Sequence, residues 1–76
     1  SVVVGSSVGL HARPAALISE AATGLDSTVT INGVDASSAL MIMTLGAGFG
    51  DTVEVEGDDE AAVEAIATLV ATDLDA

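Results

Sequence analysis

The chain has 76 residues, half of them apolar, with no cysteine, tryptophan or tyrosine and a single phenylalanine. That length allows one domain with a small core, read here as residues 1–76, and the absence of cysteine removes disulfides and thiolate metal sites as sources of stability. Twelve acidic residues against one arginine give a formal charge of −11, which repels nucleic-acid phosphates and anionic lipid headgroups and argues against a partner of either kind.

Ser1-Val2-Val3-Val4 is rich in β-branched residues and stops at Gly5, reading as a strand that begins before the first residue. The apolar stretches are too short for membrane insertion and the N-terminus lacks the basic start of a signal peptide, so a cytoplasmic protein is the expectation; it is also expected to be a monomer. From Ala12 to Thr23, the residues Ala15, Ile18 and Ala22 fall at i, i+3 and i+7, with Pro14 admissible in a first turn and Gly24 as a stop, which predicts a helix. Thr28-Val29-Thr30-Ile31 alternates with period two and runs into Asn32-Gly33, a pair favoured in two-residue hairpin turns, so Val34 begins a short return strand.

Ser37 or Ser38 can cap a short helix reaching Thr44, with Gly46 behind it. Gly46, Gly48 and Gly50 read as a flexible connection rather than a nucleotide loop, because neither the dinucleotide fingerprint nor a phosphate-loop lysine accompanies them. Asp51 to Glu56 alternates again, with Val53 and Val55 inward and Glu54 and Glu56 outward, up to Gly57. Asp58, Asp59 and Glu60 crowd the start of a last helix, where dipole and capping roles suit them better than the widely spaced ligands of a calcium loop. Val63, Ile66, Ala67, Val70 and Leu74 keep helical spacing behind them. The order β-α-β-β-α-β-α is an α+β pattern, best satisfied by an antiparallel sheet with helices over one face.

His11, the one histidine, stands in Val8-Gly9-Leu10-His11-Ala12-Arg13-Pro14-Ala15-Ala16, where a strand gives way to a helix. Unpaired backbone N–H groups and the positive end of the helix dipole make such a position an anion site. Arg13, the one basic side chain, is two residues away. Neutral imidazole can attack a phosphoryl donor, and the added oxygens then meet helix-start amides such as that of Ala12 and a guanidinium suited to phosphate. A histidine that only caps the helix is the competing reading, and the neighbours favour the phosphohistidine site.

The segment Gly9-Leu10-His11-Ala12-Arg13-Pro14-Ala15-Ala16 resembles the active-site motif of the HPr family, the histidine phosphocarriers of the phosphoenolpyruvate:sugar phosphotransferase system. Ser38-Ala39-Leu40-Met41-Ile42-Met43-Thr44-Leu45-Gly46 resembles that family's regulatory-serine helix and the turn behind it, and the resemblance runs over essentially the whole chain. It implies an open-faced β-sandwich, a four-stranded antiparallel sheet covered on one face by three helices. It also implies that enzyme I, charged from phosphoenolpyruvate, passes a phosphoryl group to His11, which delivers it to the enzyme IIA unit of a sugar transporter. The protein would then be a carrier with no turnover of its own, needing neither cofactor nor metal.

Within that frame Pro14 either stiffens the first turn and holds Arg13 near the ring or simply starts the helix. Ala16, Glu20 and Thr23 share a helix face with Ala12, and Ala39, Leu40 and Met43 of the second helix add an apolar docking patch, with core burial as the competing reading for each. The family pattern makes Ala39 and Leu40 surface contacts and Ile42 and Leu45 core. Ser38 aligns with the serine that a serine kinase/phosphorylase modifies in some bacterial lineages, while an N-cap needs only its hydroxyl and Ser37 is the alternative in register. Val8, Glu20, Thr23 and Met41 stand where many members carry lysines or polar groups, so the basic halo around the site is missing. The stretch from Gly24 to Ser38 and the strand before Asp58 are also a few residues short of the pattern. Two other readings remain open: a specialised HPr-like module of a nitrogen-regulatory or dihydroxyacetone-kinase relay, and a regulatory protein that engages a transcription factor through the Ser38 surface.

Overall fold

The computed structural model describes residues 1–74. Its elements are β1 (Val2–Val3), α1 (Ala12–Thr23), β2 (Val29–Ile31), β3 (Val34–Asp35), α2 (Ala39–Thr44), β4 (Thr52–Val53), β5 (Val55–Gly57) and α3 (Glu60–Ala71). β1 pairs with β4, and β2 lies between β3 and β5, all antiparallel. No helix among the described residues is long and apolar enough to cross a membrane.

The strand expected over Asp51–Glu56 is interrupted at Glu54, which splits it into β4 and β5. Its first half therefore pairs with β1 and its second with β2, so the four expected strands follow one another as β1, the 52–57 segment, β2 and β3. The hairpin explains the break. Asn32 and Gly33 take φ of 49° and 83°, the left-handed pair that closes a two-residue turn between the partners Ile31 and Val34. At that tip the Asn32 amide donates to the Glu54 carbonyl and the Glu54 amide donates to Asn32 Oδ1, both at 2.8 Å. A side chain thus takes the place of one rung of the ladder.

Alternation sets the faces of the sheet: Val29, Ile31 and Val53 are buried, Val55 is half-buried, and Glu54 and Glu56 are exposed. Against the apolar face pack the helices, and α1, β2, α2 and α3 each send one fully buried isoleucine inward: Ile18, Ile31, Ile42 and Ile66. Truncating such a side chain to alanine costs about 2–5 kcal/mol. The core contains no aromatic ring, because Phe49 is 67% exposed in the loop after α2.

Helix ends follow local chemistry with two departures. Gly24 ends α1 as expected but at a right-handed φ of −78°, its own amide still bonded to the Glu20 carbonyl in the helical pattern and that of Leu25 tightening the last turn onto Ala22. The last helix stops at Ala71, short of Leu74, because Thr72 turns extended at ψ 143°; Leu74 packs on the core from beyond the helix. At the other end of α3, Asp59 accepts from the Ala61 amide as its cap, a capping role for the acidic trio.

Candidate functional site

His11 is the N-cap of α1, with extended backbone (φ −92°, ψ −163°), an exposed side chain and no side-chain capping bond. A purely capping histidine would make that bond, so the ring is left for other work. The Ala15 amide donates to the His11 carbonyl at 2.8 Å and Pro14 has no N–H, which leaves the amides of Ala12 and Arg13 as the first-turn donors without a partner among the described residues. Pro14 itself is fully buried, fixing the first turn to the core. Arg13 is exposed, and its guanidinium has no carboxylate partner among the described residues. An imidazole, two amide donors and one unengaged guanidinium therefore share the start of α1.

The approach to His11 is tightly held. Gly9 takes a φ of +77°, and a Cβ there would lie 2.6 Å from the Ala47 carbonyl oxygen and 2.8 Å from Gly48 Cα. Leu10, buried, donates its amide to that same Ala47 carbonyl at 2.9 Å. Beyond this contact, a cleft of about 260 Å³ opens between Val8, Leu10, His11, Met43, Gly46, Ala47 and Gly48.

The glycine-rich connection behind α2, expected to be flexible, is a pinned wall of this cleft. The Gly48 amide donates to Asp51 Oδ2 at 2.8 Å, the Gly50 amide to the Val4 carbonyl at 3.0 Å, and the Val4 amide to the Asp51 carbonyl at 2.8 Å. Sequence reasoning missed Ala47 and Gly48 as neighbours of His11. Gly9 in the motif was the available signal, since glycine is what a left-handed residue under close backbone approach requires.

Helices α1 and α2 pack against each other and run in opposite senses: Met43, near the end of α2, joins His11 in the cleft, while Ser37, before its start, joins Thr23, at the end of α1. Ser38 is thus set about 7.5 Å along the helix axis from Met43 in the cleft, a rise of five residues at about 1.5 Å each. Its Oγ accepts from the Met41 amide at 3.3 Å, making it the N-cap. Ser37 is occupied otherwise: its amide and hydroxyl both donate to Asp35 Oδ1, and these bonds hold the Asp35 carboxyl below its usual range. Ala12, Ala16, Glu20 and Thr23 are exposed along α1; on α2, Leu40 is 70% exposed and Ala39 and Met43 are half-buried, with Ile42 in the core and Leu45 partly buried against it.

Residues 1–72 match the family model described as the PTS HPr component phosphorylation site. No curated protein matches the chain in sequence. Solved structures do. HPr-C-His from Thermoanaerobacter tengcongensis superposes with a TM-score of 0.81 at 33% identity, over 91% of this chain and 85% of that one. The phosphocarrier protein HPr from Bacillus anthracis gives 0.76 at 39% identity, over 91% and 90%, and the histidine-containing phosphocarrier protein of Mycoplasma gives 0.70 at 25% identity, over 91% and 82%. With a family model spanning nearly its whole length and solved relatives sharing its open-faced α+β fold, the chain belongs to the HPr phosphocarrier family of the phosphotransferase system.

Proposed function

We propose that this protein is a general phosphocarrier in which His11 accepts a phosphoryl group from enzyme I and hands it to the enzyme IIA units of sugar transporters. The observation that carries the proposal is the uncapped, exposed imidazole at the start of a helix whose first two amides and neighbouring guanidinium have no partner among the described residues. A ring nitrogen of neutral His11 attacks phosphorus as the donor's bond to it breaks, and the reverse exchange delivers the group onward. Three phosphoryl oxygens then meet the Ala12 and Arg13 amides and the Arg13 side chain. Such transfers need positioning and charge stabilisation more than covalent help from the protein.

Both partners dock in turn over the α1–α2 face, with Ala16, Glu20 and Thr23 on one helix and Ala39, Leu40 and Met43 on the other. Exposed Leu40 and the exposed side of α1 support this surface. Phosphorylation of Ser38 by a serine kinase would place charge at the edge of that face and regulate docking. The test is a reconstituted relay with phosphoenolpyruvate, enzyme I and an enzyme IIA from the same source. The protein should be required for label to reach enzyme IIA, and His11→Ala should abolish delivery; delivery that persists with His11→Ala would overturn the reading.

A further inference from the structure

Three consecutive residues ahead of the site are stitched to the end of the last helix. The Gly5 amide donates to the Val70 carbonyl at 3.0 Å, Ser6 Oγ donates to the Thr72 carbonyl at 3.2 Å, and the Ser7 amide donates to Asp73 Oδ1 at 3.3 Å. Ser6 Oγ also accepts from the Leu74 amide at 3.2 Å. Gly5 lies so close to α3 that a Cβ on it would collide with the Ala71 carbonyl oxygen. Ser6 has no exposed surface, and its hydroxyl is both donor and acceptor to a backbone more than sixty positions away, so its removal strands a carbonyl and an amide together.

This clasp leads directly to His11. The Ser6 carbonyl accepts the Gly9 amide at 2.9 Å, closing a turn, and Leu10 is then fixed to Ala47 at 2.9 Å. His11 follows, and among the described residues no side-chain bond holds its ring. The ring's direction from the start of α1 is therefore set by backbone fixed on two sides, by α3 through residues 5–7 and by the 47–48 loop through residues 9–10. We infer that Ser6 is a positioning residue for His11, acting through this clasp to aim the imidazole at the phosphoryl group. The inference rests on the phosphocarrier reading for its effect on rate, but its effect on the ring is independent of that reading.

The experiment compares the wild-type protein with Ser6→Ala, Ser6→Cys and Asp73→Ala at 25 °C, each shown by circular dichroism to be folded. Two quantities are read: the His11 ring resonances by NMR in the unphosphorylated protein, and the rate of transfer from enzyme I. Ser6→Ala should shift the ring resonances and slow transfer about tenfold, since a small misplacement of a reacting group is costly in rate. Ser6→Cys, which keeps a weak donor and acceptor in a similar volume, should recover part of both, and Asp73→Ala should reproduce a smaller version. Unmoved ring resonances and unchanged transfer in the folded variants, with only a lower unfolding temperature, would overturn the inference. Should Ser6→Ala not fold, the same two readouts on Ser6→Cys and Asp73→Ala decide it. A wild-type protein that takes no phosphoryl group, with ring resonances that still shift in Ser6→Ala, would overturn the functional reading while leaving the clasp's hold on the ring intact.

Discussion

The amide of Leu10 and the carbonyl of Ala47 meet at 2.9 Å, joining the residue before the candidate nucleophile to the loop behind α2. The contact depends on Gly9, whose positive φ and lack of a side chain let the two backbones approach. Gly9→Ala should lower stability by about 2–4 kcal/mol, combining left-handed strain with a collision against backbone. Gly33→Ala is the control: its φ is +83° but nothing lies within 4 Å of the added Cβ, so its cost should be about 1 kcal/mol. Equal losses for the two in urea unfolding would show that the Gly9 approach is not tight.

Arg13→Glu should damage transfer and spare the fold. The side chain is exposed with no ion-pair partner among the described residues, so unfolding should change by no more than about 0.5 kcal/mol. A hydrogen bond to a charged group is worth about 1.5–3 kcal/mol, so phosphotransfer to His11 should fall about ten- to a hundredfold. Single-turnover transfer from enzyme I, followed beside thermal unfolding, measures both; an unchanged rate would remove Arg13 from the site.

Ser38 separates capping from docking. Ser38→Ala removes the acceptor for the Met41 amide and should cost about 1 kcal/mol while leaving transfer near wild type. Ser38→Asp keeps an acceptor and adds charge that favours the helix start, so stability should hold or rise slightly. Charge beside Ala39 and Leu40 must be desolvated on docking, so transfer should slow in Ser38→Asp alone. Equal transfer rates in both variants would reduce Ser38 to a cap.

Local patterns exposed most of this architecture to a reader of the sequence. The period of Ala15, Ile18 and Ala22, the Asn32-Gly33 turn and the capping serine of α2 are each decided by neighbours within a few residues, and the structure places them where those neighbours dictate. The break at Glu54 is different in kind, because its partner Asn32 lies 22 positions away and only the folded hairpin brings the two together. Leu74 continued a helical spacing that Thr72 ends by turning extended. Within the site, His11, Ala12, Arg13 and Pro14 are contiguous and so legible. Ala47 and Gly48 enter through the turn after α2, and Ser6 looks like an ordinary polar loop residue until α3 buries it.

Mapping of the phosphoryl group tests the central claim most directly. After incubation with phosphoenolpyruvate and enzyme I, the intact protein should gain one phosphoryl group, lost in acid and retained in base, and peptide mass spectrometry should place it on His11, the only imidazole in the chain. Labelling that survives His11→Ala, or a wild-type protein that stays unlabelled while enzyme I charges another HPr in the same reaction, would contradict the account.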